Sequence, residues 1–224
     1  MNKISIAAIA ALAALALWVG NATVAEQGER ELGDAFPKKL LVSPDSCVTP
    51  AWPNEARRYE IEGISVLRFR IGKDGSVQDA KVATSSSWNI LDAAALASLV
   101  KCRFKPDLDE AKAEATFPIQ FVWTMDGEAP MRPSVVEGSC APSAKFARFK
   151  TFQRGQDGAD GVLVRLLVDP QGQPFGVKAE LGPQQADLAA QAVQYVQSCK
   201  FAIDPALKGE RTDTTFGRVL YQPG

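Results

Sequence analysis

Histidine is absent from all 224 residues. Its absence removes the usual general base of Ser-His-Asp and Cys-His catalysis and the commonest side-chain metal ligand. The four cysteines contain no Cys-x-x-Cys, so a zinc site is not expected either. A glycine-rich phosphate loop is also missing. Charge of neither sign is in excess: 25 Lys and Arg face 26 Asp and Glu, a formal net charge of −1. Such a balance gives no electrostatic footprint for nucleic acid or an anionic membrane. Neither a metal nor any other cofactor is expected, and no nucleic-acid partner. Carboxylates gather at Asp107, Asp109 and Glu110, while Glu60 and Glu62 stand near Arg57 and Arg58. Both groups read as solvated surface charge rather than as acid–base pairs. Serine–lysine chemistry has no supporting motif, so the chain is expected not to be an enzyme.

Long apolar runs are scarce too. After the positive start Met1-Asn2-Lys3, Ile4 to Val19 is apolar apart from Ser5. As a helix this run spans about 24 Å at roughly 1.5 Å per residue. A bilayer core needs about 30 Å. Thr23-Val24-Ala25, ahead of the polar Glu26-Gln27-Gly28, resembles a signal-peptidase site. Residues 1–25 are therefore expected to be a cleaved export signal, and residues 26–45 a short spacer. Inner-membrane association is expected only if the signal stays attached.

What is present is a hidden repeat. "KCRFKPD" (101–107) and "SCKFAID" (198–204) share Cys, a basic residue, Phe and Asp. Gly75 and Gly172 stand the same distance before Cys102 and Cys199, Leu91 and Leu188 hold the same register, and "SC" precedes each copy at Ser46-Cys47 and Ser139-Cys140. The chain thus reads as two divergent copies of one unit. In an exported protein four cysteines imply disulfides, and three pairings are open on spacing alone. The repeat selects Cys47–Cys102 and Cys140–Cys199, one bridge within each copy.

Each unit has a legible order. "GISVLRFRI" (63–71) alternates as a half-buried strand, Asp74-Gly75 is a hairpin signal, and "VQDAKVAT" (77–84) returns. Ser85, Ser86 and Ser87 offer N-cap hydroxyls to a helix whose stripe is Leu91, Ala95, Ser98, Leu99 and Cys102. Pro106 ends it. A third strand, about Thr116 to Thr124, contains Pro118 and is therefore expected at a sheet edge. The second copy offers a strand in 161–169, a turn at Gln171-Gly172, a helix from about Ala186 to Lys200 and a strand from Thr212 to Tyr221. The expected class is α+β: two tandem small domains, 46–125 and 139–224, each a three-stranded antiparallel sheet with a packed helix. The turn-rich residues 126–138 read as a linker.

Pro50-x-Trp52-Pro53, Ala56-Arg57, Glu62-Gly63, Asp74-Gly75, Ser85-Ser86, Leu91-Asp92 and Phe104-x-Pro106, taken together, resemble the C-terminal domain of the TonB energy-transducing proteins. The resemblance covers about 80 residues and extends to the second copy only through the repeat. It implies a periplasmic domain that grips an extended segment of an outer-membrane receptor, or of another envelope protein, as a strand added to its sheet edge. It also implies a partner-binding set of Pro50, Trp52, Pro53, Thr116, Phe117, Gln120, Val122 and Trp123. Members that transduce energy carry a histidine in their anchor helix and a long spacer. Here histidine is absent, and residues 26–46 reach at most about 70 Å. The alternative is a disulfide-stapled scaffold of the envelope that uses this fold structurally.

Overall fold

The structure is a computed structural model and describes residues 36–106, 109, 112, 114–152 and 160–223. The expected signal segment, residues 26–35 of the spacer, Asp107 and Glu110 lie outside the described residues.

The first unit begins with Pro53, which leads into a short helix α1 (Asn54–Arg58). Strands β1 (Gly63–Ile71) and β2 (Val77–Thr84) follow, joined by the turn at Asp74-Gly75. Helix α2 (Asn89–Leu99) and strand β3 (Phe117–Trp123) complete it. The sheet order is β2-β1-β3, antiparallel throughout, so β3 is an edge strand as its proline predicts. Along β1, Ser65, Leu67, Phe69 and Ile71 are buried and Arg68 and Arg70 are exposed. The inward set packs with Leu91, Ala95 and Leu99 of α2, and with Phe104.

The serines before α2 do not cap it. The N-cap position belongs to Trp88 and carries no side-chain cap. Ser65 and Ser85 instead donate their hydroxyls to the buried Asp92 carboxylate, at 2.6 and 2.5 Å, and the Ser86 amide donates at 3.0 Å. A buried carboxylate needs several donors, and that demand outweighs the helix terminus here.

The second unit repeats this order and adds to it. Strand β4 (Ser134–Val135) opens it, then β5 (Phe146–Thr151), β6 (Val162–Val168) and β7 (Pro174–Ala179). Helix α3 (Ala186–Gln197), β8 (Phe201–Ala202) and β9 (Thr214–Tyr221) follow. The main sheet runs β5-β9-β6-β7, with a small β4-β8 ladder beside it. It is thus the expected three strands plus β5, which pairs with the outer edge of β9. The stretch read as a linker is docked rather than loose: Met131, Arg132 and Pro133 are buried, and β4 starts directly after them.

Both copies close in the same way. Cys47 bonds Cys102, and Cys140 bonds Cys199. Gly75 and Gly172 have φ of +78° and +77°, and a Cβ there would stand 2.0 and 2.2 Å from the carbonyl oxygens of Phe104 and Phe201. Only glycine meets both demands. The amides of Phe104 and Phe201 then donate to those glycines' carbonyls, each at 2.9 Å. The serine before each first cysteine also recurs in role: Ser46 and Ser139 donate their hydroxyls to the carbonyls of Arg103 and Lys200.

Strand β6 is buried at every position, which the two sides of its sheet explain. Val162, Val164, Leu166 and Val168 share a core with Ala192 and Val196 of α3. Leu163 and Leu167, together with Phe216, join the core of the first unit. The second sheet is therefore a middle layer, between its own helix and the first unit. Among the described residues, no helix is long and apolar enough to cross a membrane.

Candidate functional site

The outer edge of β3 pairs with no strand among the described residues. Its faces are set by register. Phe117, Ile119 and Phe121 stand opposite Phe69, Leu67 and Ser65, the inward residues of β1. Gln120 and Val122 stand opposite Val66 and Ile64 on the other face, where Ile64 and Val122 are 43% and 49% exposed. Thr116 is exposed just before the strand.

Trp52 does not stand free between its prolines. It packs against the first core, with its ring centroid 6.2 Å from that of the buried Trp123 in an edge contact. Trp52 and Trp123, at opposite ends of the expected set, are thus brought together. Pro50 and Pro53 are part-buried on either side of Trp52. The expected residues divide between the two faces of β3 rather than forming one pocket.

Sequence reasoning missed the groove beside this edge. A cavity of about 610 Å³ lies between β3 and the preceding arm, lined by Phe36, Leu41, Val42 and Val48 on one side and Ile119 and Phe121 on the other. The second unit shows what such a gap can hold. Leu41 bridges to Phe104 as Val135 pairs with Phe201, so the arm of each copy stands in the same place. In the second copy, however, Val135, Val136 and Cys140 share their cleft with Ala147 to Thr151 of β5. There a strand fills the position that is open beside β3.

The charged stretch before β1, expected to be solvated surface, instead joins the two units. Arg58 forms a bidentate pair with Asp213, at 2.9 and 2.6 Å. Glu55 accepts from Arg165 and Lys178, each at 2.7 Å. Tyr59 donates its hydroxyl to the carbonyl of Gly176. Glu60 has φ of +49°, an uncommon conformation for a residue with a side chain. Its position ends α1: the amides of Glu60 and Ile61 return to the carbonyls of Arg57 and Ala56, the usual place of a glycine. Glutamate stands there because its carboxylate pairs with the buried Arg132 at 3.1 Å and accepts from Thr212 at 2.6 Å. Trp88 adds an apolar anchor, edge-on to Phe216 at 5.6 Å. These pairings hold the carboxyls of Glu55 and Asp213 below their usual range, through hydrogen bonds from Lys178 and then Arg165, and from Arg58. Glu62 also has a partner, since it accepts from the Met125 amide.

No cluster of metal-ligating side chains occurs among the described residues. Of the loop carboxylates, Asp109 is exposed and paired with Lys112. What the β3 edge offers chemically is therefore a row of main-chain donors and acceptors beside a groove lined by apolar side chains and by Lys38, Lys39 and Lys105.

No curated protein matches the chain. A family model matches residues 48–124, from the segment before Trp52 through β3, and leaves the second unit outside it. The family is the Gram-negative bacterial TonB protein C-terminal, and the first unit has the fold of a TonB C-terminal domain.

Proposed function

We propose that the chain is an exported, TonB-like protein of the cell envelope, whose first unit takes up an extended segment of a partner protein as an added strand on β3. An envelope protein, such as an outer-membrane receptor, is the partner class. The observation that carries this reading is the β3 edge, unpaired among the described residues, with a groove of about 610 Å³ beside it, in a chain whose other copy fills the same edge with β5. Strand addition draws affinity from main-chain hydrogen bonds and specificity from nearby pockets, and this edge has both. A scaffold role would be favoured by a second unit lying across that edge. The contacts of the second unit run instead to α1 and Trp88.

Proline scanning tests the proposal. A proline persists in a strand where its nitrogen faces away from the ladder, and Pro118 sits opposite Arg68. N–H direction alternates along a strand, so Val122 shares the outward direction of Pro118. Val122→Pro is expected to leave the melting temperature nearly unchanged. Partners captured from an envelope extract by the wild type should be lost, since each missing main-chain bond removes about 1 kcal/mol and the ring blocks approach. Ile119→Pro, with its N–H directed at β1, is the unfolding control. Capture that survives Val122→Pro rejects strand addition at this edge.

A further inference from the structure

Among the described residues, the charged side chains lining the groove beside β3 are Lys38, Lys39 and Lys105, with no Asp or Glu. Asp45 lies on the same arm but outside the lining. Two of these lysines are held together, because the Lys105 ammonium donates to the Lys39 carbonyl at 3.2 Å. The second unit shows how a strand and its arm are matched. There β5 buries Phe146 and Phe149 and leaves Arg148 and Lys150 exposed. The arm beside it carries Glu137, which lines that cleft together with Arg148 and Lys150. The basic strand thus shares its cleft with an acidic arm residue.

We propose that the β3 groove selects an acidic extended segment, with Lys38, Lys39 and Lys105 as the residues that set this preference. The inference rests on the strand-addition reading and adds to it the chemistry of the ligand. Bulky apolar side chains on one face of the segment meet Phe36, Ile119 and Phe121, and carboxylates elsewhere on it meet the three lysines. β5 itself, being basic, is the wrong strand for this groove.

Three synthetic nonapeptides test this, sharing one alternating Phe/Val set and carrying Glu, Gln or Lys between. Each is titrated by calorimetry into the wild-type protein, into Lys38→Gln/Lys39→Gln/Lys105→Gln, and into Val122→Pro. Because Lys105 also holds the arm, the single variant Lys38→Gln runs in parallel, and melting curves check that all variants fold. At low salt the Glu peptide should bind about tenfold tighter than the Gln peptide, as several exposed charge pairs together allow. The Lys peptide should bind most weakly. High salt and the triple variant should erase the differences, and Lys38→Gln should reduce them in part. Equal binding of all three peptides, still abolished by Val122→Pro, overturns the charge selection and leaves strand addition standing. Binding of none, or binding indifferent to Val122→Pro, overturns both.

Discussion

Arg165 offers a sharp test of how the two units are joined. It sits mid-strand in β6 with 7% of its side chain exposed, pairs with Glu55 and with Glu180, and lies 5.2 Å from the centre of the Tyr59 ring. Glu180 is equally enclosed, at 6%, and also accepts from the amide of Asn89 at the start of α2. Changing Arg165 to Met keeps the volume and removes the charge, so the Glu180 carboxylate is left buried without its main partner. Breaking one side of a buried pair costs about 3–5 kcal/mol. Glu55 keeps Lys178 and has water to turn to, so it adds little. The expected loss for Arg165→Met is therefore about 3–4 kcal/mol. Arg165→Met/Glu180→Gln removes both charges and should recover most of that loss, leaving a deficit of about 1 kcal/mol from the amide's imperfect pairing. Urea unfolding of the three proteins, followed by tryptophan fluorescence, measures both differences. Trp88 lies at the junction, so the same signal reports whether the units separate before they unfold. A single variant that loses less than about 1 kcal/mol, or a double variant no better than the single, refutes the account of Arg165 and Glu180 as a buried pair.

Two further outcomes follow from the same geometry. Gly75→Ala and Gly172→Ala should each destabilise by more than about 2 kcal/mol, since a left-handed alanine costs 1–2 before the clash with the Phe104 or Phe201 carbonyl is counted; thermal melts measure this, and a tolerated alanine at either site would contradict the shared turn. The carboxyls of Glu55 and Asp213 are lower in the folded chain than in the unfolded one, so their pairings contribute fully above the unfolded values, about pH 4, and the contribution disappears as pH falls through the lower folded values. Melting temperature should fall more gently in acid for Glu55→Gln/Asp213→Asn than for the wild type, by a modest margin because both groups are partly solvated; parallel curves would remove these pairs from the acid response.

The strands of the first unit were legible because each buries one face only, so apolar alternation and turn glycines marked them. The cysteine pairing was legible through the repeat. Strand β5 was not, for a physical reason: Phe146 and Phe149 are both buried although three apart, because the ladder shifts register between Phe146 and Arg148. A bulge of that kind breaks the period of two on which strand recognition depends. The joining charges Arg58 and Glu60 were misread as surface charge, and Glu55 was overlooked, because all three acquire their partners from residues more than seventy positions away. A signal did exist in "VLVRLLV": a strand apolar on both faces must be covered on both, and its single arginine needs a buried carboxylate. At the edge itself, Pro118 announced the open side, but the groove depends on where the arm from Phe36 lies, which local pattern does not encode.

Filling one of two equivalent edges changes the valency of the molecule. A duplicated chain with both β3 and β9 open would offer two strand-accepting edges on one rigid body. Such a chain could bridge two partners, gain avidity for an array of them, or accept strands from its own copies in succession. With β5 laid along β9, only the β3 member of that pair remains to accept a strand. Under the strand-addition proposal, the duplication therefore enlarges and braces the domain without adding a second site of the β3 kind.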